Sequence, residues 1–357
     1  HHDPTGEGDH GELPLCRGCM MQAALHALSE GRPLSGHDAR EAMEYIASGR
    51  ATDAQVGAFL AALRVRGESA EEIATFGRVL QQHAHSIRPQ VAGTLVDTCG
   101  TGGDGCRTFN ISTAAAIVAA GAGVPIVKHG NRSVSSSCGS ADVLEALGVK
   151  VDLPPDRVCR IVEDIGIGFL FAPNFHPAFR NAARARRDLG FHTVFNVLGP
   201  LLNPAAAPSR LMGVYSPEIM RTLAEALDRL GAERAMVVHG EGLDEITNTG
   251  ETRVAELSHG VIREYAITPE EFGFPRSSRK ALLGGSPEEN AGIILGILEG
   301  DEGPVHDVVV LNAGAAIYLG GKARDLGEGI ERAQRSIGNG EALGKLGALI
   351  DATREVS

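Results

Sequence analysis

What most constrains this chain is a change of rhythm near Leu95. Before it, apolar residues recur at helical spacing only. After Thr52 come Val56, Phe59, Leu60 and Leu63, closed by Gly67; after Ser69 come Ile73, Phe76, Val79 and Leu80. Thr52 with Gln55, and Ser69 with Glu72, have the spacing at which a side-chain pair satisfies the free amides of a helix start. Short amphipathic helices with no strand between them are therefore expected from about 20 to 86, as a small helical lobe. Beyond Leu95, short apolar runs at 124–127, 168–171, 235–238 and 308–311 alternate with helix-like stretches at 113–121, 140–147, 156–165, 217–230 and 287–299. Strand and helix in alternation build a mostly parallel sheet covered by helices. The fold class is thus α/β, a larger domain with a small all-helical domain attached. At 357 residues the chain exceeds the size at which one core usually stops growing, which agrees with two lobes. Residues 1–13 are polar and aperiodic and are expected to form a disordered tail.

In a sheet of this kind, ligands gather on the loops after the carboxyl ends of the strands. The first such loop is Gly100-Thr101-Gly102-Gly103-Asp104-Gly105, which runs through Thr108 to Thr113 into an alanine-rich helix. Glycines let backbone amides approach an anion, and a helix start adds oriented N–H groups. The letters also fit the dinucleotide fingerprint, but that reading needs an acid about 20 residues on. No carboxylate occurs between Asp104 and Asp142, whereas Arg107, Lys128, His129 and Arg132 do. A stretch cleared of acids and stocked with cations suits a polyanion better than a nicotinamide dinucleotide. The second loop, Lys128 to Ser136, combines Lys128 and Arg132 with Ser133, Ser135 and Ser136, all donors for phosphate oxygens. A third element, Asp244-Glu245, follows the 235–238 run. Alone such a pair is usually a solvated surface feature; beside a phosphate site it offers the hard oxygens that Mg²⁺ takes. A fourth joins His176-Pro177-Ala178-Phe179 to Arg186-Arg187, with a rigid turn at 199–204. Arg186 is either a helix-surface cation or a fork for a carboxylate.

The net charge of −12 argues against a nucleic-acid partner, and 4% aromatic residues with no Trp leave few stacking platforms. No apolar run is long enough to cross a bilayer and no signal segment is seen, so a cytoplasmic enzyme without membrane contact is expected. The six cysteines, at 16, 19, 99, 106, 138 and 159, are scattered and read as reduced thiols. Cys16 and Cys19 form a lone CxxC, short of the four ligands of a structural zinc.

Taken together and in this order, the four segments resemble the anthranilate phosphoribosyltransferase family, over nearly the whole chain from about Leu34 to Gly320-Gly321-Lys322-Ala323. The resemblance implies the nucleoside phosphorylase/phosphoribosyltransferase class of fold, with a helical domain over 14–90 joined by helices from about 176–206, an α/β domain over 91–357, and a homodimer through the helical lobes. It implies transfer of phosphoribosyl from phosphoribosyl pyrophosphate to anthranilate in tryptophan biosynthesis, with Mg²⁺, two ions per active site. Carried over by motif, phosphoribosyl pyrophosphate would meet Gly100, Gly103, Asp104, Thr108, Asn110, Ile111, Ser112 and Thr113. It would also meet the loop Lys128, His129, Gly130, Asn131, Arg132, Ser133, Val134, Ser135 and Ser136, and Ser140. Ser112, Asp244 and Glu245 would serve the metal, and Gly100, Asn131 and Arg186 would receive anthranilate. No acid or base is assigned; His129 is the histidine expected nearest substrate. Two alternatives are a pyrimidine nucleoside phosphorylase, which should lack the intact 128–136 segment and the Arg186-Arg187 pair, and a nucleic-acid-binding relative of the same fold, which should be basic.

Overall fold

The structure, a computed structural model, describes residues 17–133 and 138–355. The expected tail, Cys16 and the loop residues Val134, Ser135 and Ser136 lie outside the described residues. Four helices, Arg17–Ser29, Gly36–Ala47, Asp53–Arg66 and Ala70–Gln82, come first. Both expected capping boxes form: Thr52 Oγ1 accepts from Gln55 N at 3.2 Å while Gln55 Oε1 accepts from Thr52 N at 2.9 Å. Ser69 and Glu72 do the same, and Gly67 ends its helix at φ 88°. Two later helices, Arg180–Leu189 and Val194–Leu201, come back to this region and pack on Asp53–Arg66 and Ala70–Gln82. Their Ala182, Ala185, Phe195 and Leu198 share one core with Phe59, Leu60 and Phe76.

Seven strands form one sheet: β1 (Val96–Thr98), β2 (Ile126–Gly130), β3 (Ile167–Phe171), β4 (Ser209–Gly213), β5 (Arg234–Gly240), β6 (Thr252–Ser258) and β7 (Val261–Ile267). Their order is β3-β2-β1-β4-β5-β6-β7. The first five in that order are parallel and β6 and β7 are antiparallel, so the sheet is mostly parallel, as expected. Alternation along β5 splits its side chains between two cores. Met236 and Val238 pack towards the helices Ile111–Gly121 and Pro304–Leu319, and Ala235 and Val237 pack towards the helical lobe. The outer strand β7 keeps polar residues such as Arg263 and Glu264 exposed, which blunts an open edge.

One expected strand is absent. The run at 308–311 lies inside the helix Pro304–Leu319, where Val308, Val309 and Val310 are 0% exposed and Leu311 is 1%. A helix enclosed on every side is apolar all round, and over four residues it reads like a buried strand. Conversely β4, β6 and β7 were not anticipated as strands. The strand order carries the functional consequence. From β1 the chain winds outwards through β2 and β3, then crosses to β4 on the other flank of β1. The strand order thus reverses between β1 and β4, and in open sheets of this kind ligands bind outside the carboxyl ends of the strands at such a switch point.

Candidate active site

The glycine-rich turn leaves β1 and is pinned to the end of β4. Thr101 N donates to the Gly213 carbonyl at 2.9 Å, and Tyr215 N donates to Thr101 Oγ1 at 3.1 Å. Position 213 tolerates only glycine, since a Cβ there would fall 1.5 Å from the Asp244 carbonyl oxygen. That close approach brings the acid pair under the turn. Gly102 N donates to Asp244 Oδ2 at 2.8 Å, the oxygen that a Cβ on Gly100 would meet at 2.8 Å. Asp244 N donates to Asp104 Oδ2 at 3.3 Å, and Asp104 Oδ1 accepts from Cys106 N at 3.0 Å. Turn and acid pair, far apart in sequence, are one structural unit.

Facing them is Lys128 on β2, only 5% exposed. Its Nζ donates to the Thr98 carbonyl at 2.6 Å and to Ser112 Oγ at 3.1 Å, so the ammonium is fixed between the end of β1 and the first turn of the helix Ile111–Gly121. Burial, then repulsion from Asp104, pushes Asp244 above the usual carboxylate range. Burial and the Asp244 charge push Glu245 well above it, against the pull of Lys128 and the Ser112 amide. Two adjacent carboxyls whose ionisation is opposed this strongly form a site short of positive charge, and their hard oxygens fit a Mg²⁺ ion. Among the described residues no cluster of three or more His, Cys, Asp or Glu side chains is placed to hold a metal. A cation at this pair would take its remaining oxygens from a ligand or water, which is the habit of Mg²⁺.

The remaining expected residues fall in three groups. Thr108 forms an isolated bridge to Leu283. Asn110 is engaged by the protein, donating to the Cys138 carbonyl at 3.1 Å and accepting from Asn290 at 3.0 Å. Ile111 and Thr113 are buried with Thr113 Oγ1 lacking a partner, so this segment offers backbone at the helix start. At the end of β2, Gly130 leads to exposed Asn131, whose carbonyl accepts from Ser140 Oγ at 3.3 Å. Ser133 N donates to Asp142 at 3.0 Å. Arg132 forks onto Glu145 at 2.5 and 2.7 Å and lies over Phe171.

His129 alternates with Lys128 along β2 and points away from it. Its ring, 4% exposed, sits 5.0 Å from His176. From there a line of rings runs from His176 to Phe179 at 5.2 Å and from Phe179 to Phe195 at 5.3 Å, and Arg186 lies over Phe195 at 5.6 Å. Arg186 is half-buried with no carboxylate partner among the described residues, and burial pulls its pKa down. Sequence reasoning singled out Arg186 without the aromatic line that carries it. The available signal was local: His176, Phe179, Phe191, His192 and Phe195 crowd into twenty residues of a chain with 4% aromatics.

The fold has solved counterparts. Residues 92–343 match the model of the glycosyl transferase family, a/b domain, and residues 22–84 match the glycosyl transferase family, helical bundle domain. An anthranilate phosphoribosyltransferase of Methanocorpusculum labreanum is 52% identical over 332 residues, 93% of this chain and 96% of the relative. The crystal structure of anthranilate phosphoribosyltransferase from Thermus thermophilus superposes with a TM-score of 0.88 at 46% identity, covering 93% of this chain and 99% of that one. The anthranilate phosphoribosyltransferase of Saccharomyces cerevisiae in complex with PRPP and Mg superposes with a TM-score of 0.86 at 31% identity, covering 95% and 99%.

Proposed function

The chain belongs to the anthranilate phosphoribosyltransferase family, and from that premise we propose how its crevice carries out the reaction. The enzyme transfers the 5-phosphoribosyl group from phosphoribosyl pyrophosphate to the amine of anthranilate, giving N-(5-phosphoribosyl)anthranilate and pyrophosphate in L-tryptophan biosynthesis. It uses Mg²⁺. The observation that carries the site reading is the glycine-rich turn bound to Asp244 on one side and facing Lys128 on the other. We assign the diphosphate sugar to Gly100, Gly103, Asp104, Thr108 and residues 110–113. Its remaining phosphate goes to the loop from Lys128 to Ser136 and to Ser140. Two Mg²⁺ ions are assigned to Ser112, Asp244 and Glu245, and anthranilate to Gly100, Asn131 and Arg186.

Bound Mg²⁺ would neutralise charge on the departing pyrophosphate. The chain supplies the rest. Amides of the turn and of the helix start at Ile111 donate to phosphate oxygens. The Lys128 ammonium, held by two oxygens, stays in place as negative charge builds, and a pre-set charge costs no reorganisation at the transition state. The anomeric carbon gains oxocarbenium character, as in other glycosyl chemistry. The anthranilate amine already has a free lone pair and needs orientation more than a strong base. Arg186 fits that orienting role because it can fork onto the anthranilate carboxylate. Neutral, buried His129 and His176 flank the aromatic line and do not act as bases in this reading.

No helix among the described residues is long and apolar enough to cross a membrane. We place the enzyme in the cytoplasm as a homodimer through its helical lobes, where Val65 stands 89% exposed. The test of function is loss of anthranilate fluorescence, expected only when phosphoribosyl pyrophosphate and Mg²⁺ are both present. Consumption that ignores either would refute the assignment. Asp244→Ala combined with Glu245→Ala should abolish Mg²⁺-dependent turnover, and an unchanged metal response would remove the acid pair from the metal site.

A further inference from the structure

We propose that His192 contacts the substrate, its imidazole closing over the glycine-rich turn from the helical side and donating a hydrogen bond to the diphosphate held there. The proposal rests on the reading of that turn as the diphosphate site. Gly103 sits at φ +72°, and a Cβ on it would fall 2.5 Å from His192 Nε2 and 2.8 Å from His192 Cε1. The open side of this glycine, expected to face phosphate, is therefore lined by the edge of an imidazole. The ring is held by the same support as the turn. It packs on Tyr215 with centroids 4.3 Å apart, and Tyr215 N is bonded to Thr101 of the turn. Its chain position is fixed as well, since His192 directly precedes Thr193, the cap of the helix Val194–Leu201, whose N donates to Asn196 Oδ1 at 2.8 Å.

Within this support the ring nitrogens have no hydrogen-bond partner among the described residues. A half-buried imidazole aimed at an anion-binding turn, with its donor unused, suits a phosphate oxygen. Arg64, on the helix Asp53–Arg66, adds a positive field at the same ring. The bond is to an anionic oxygen, so it is stronger than a neutral one, and it tightens as pyrophosphate gathers charge on leaving. The residue comes from the helical side, so it also makes diphosphate binding depend on how the two lobes meet.

The experiment compares His192→Ala and His192→Gln with the unaltered enzyme in the anthranilate fluorescence assay. Loss of one charge-assisted hydrogen bond predicts a rise of about 10-fold in KM for phosphoribosyl pyrophosphate. KM for anthranilate should hold within about 2-fold. His192→Gln, with an amide N–H near the place of Nε2, should recover most of the loss, which a purely packing role for the ring would not allow. In ¹⁵N-histidine spectra of the unaltered enzyme, inorganic pyrophosphate with Mg²⁺ should shift the His192 Nε2 signal. No shift, equal changes in both KM values, or a Gln variant no better than Ala would overturn the proposal. Failure of the underlying reading is seen separately, as absence of phosphoribosyl pyrophosphate-dependent turnover in the unaltered enzyme.

Discussion

Arg186 shows what a single residue reveals when its surroundings are counted. A half-buried guanidinium normally sits on a carboxylate, because desolvating an unpaired cation is costly. Among the described residues it has no carboxylate partner and lies over the face of Phe195 at 5.6 Å, which suits its planar fork to an incoming anion. Arg186→Ala should raise KM for anthranilate by about 10-fold or more, the usual cost of a lost charge-assisted pair. KM for phosphoribosyl pyrophosphate should be little changed. Arg186→Lys should not restore it, because an ammonium cannot form the bidentate pair; equal losses for both substrates would count against the role. At this scale the sequence was legible wherever chemistry was local. The glycines at 100–105, the carboxylate-free stretch and the acids at 244–245 stood out as candidate anion and cation sites, and the structure brings the turn and the acids together. The pairing of Arg132 with Glu145 was not legible, because that partner lies on the helix Ser140–Ala146, just past the carboxylate-free stretch. His192 was invisible because its meaning lies in an approach to Gly103 that only the tertiary fold creates.

Among the elements, the helix Ala70–Gln82 is anchored at its start by Glu72. The residue is 4% exposed and accepts from Ser69 N at 3.0 Å and from Leu34 N at 3.1 Å. It also pairs with Arg66 at the end of the preceding helix. One carboxylate thus caps its own helix and ties it to the preceding helix and to the turn before Gly36–Ala47. Removing it leaves the Arg66 guanidinium with carbonyl partners but no counter-charge, and two amides without their acceptor, a loss of about 3 kcal/mol. Glu72→Ala should lower the urea midpoint accordingly, whereas Glu71→Ala, on the exposed face of the same turn, should change stability by less than about 0.5 kcal/mol. Similar shifts for both would mean that Glu72 is an ordinary capping residue. The box was readable as Ser69-x-x-Glu72, but the reach to Arg66 and Leu34 was not. The misread run at 308–311 has the same origin: what encloses an element decides its type when four apolar residues stand in a row.

At the scale of the whole molecule, the lobes meet where the chain crosses between them, and that junction is held by buried hydrogen bonds, two of its groups being histidines. His85 N donates to the Phe175 carbonyl at 2.8 Å and Ile87 N to the Pro204 carbonyl at 3.1 Å. Asn203 donates to the Val127 carbonyl at 2.8 Å, and Arg210 to the Leu201 carbonyl at 3.1 Å. His176 donates to the Leu202 carbonyl at 2.8 Å and packs on His129 of β2. Burial draws the His176 pKa down to about 4, although the bond to Leu202 opposes it. Burial and the His176 neighbour hold His129 well below its usual range. An unfolded histidine titrates near 6.5, so between about pH 6.5 and 4 the unfolded chain takes up protons that the folded junction refuses. The stability these rings contribute is complete above that window and is lost as pH falls through it, by about 3 kcal/mol for His176 alone. Urea unfolding at a series of pH values should therefore show a midpoint that drops steeply below pH 6.5. His176→Asn should be less stable at pH 7.5 yet show a shallower drop on acidification. If the variant's midpoint falls as steeply as that of the unaltered enzyme, the acid sensitivity belongs to other groups, and the two histidines do not set the pH range over which the lobes stay joined.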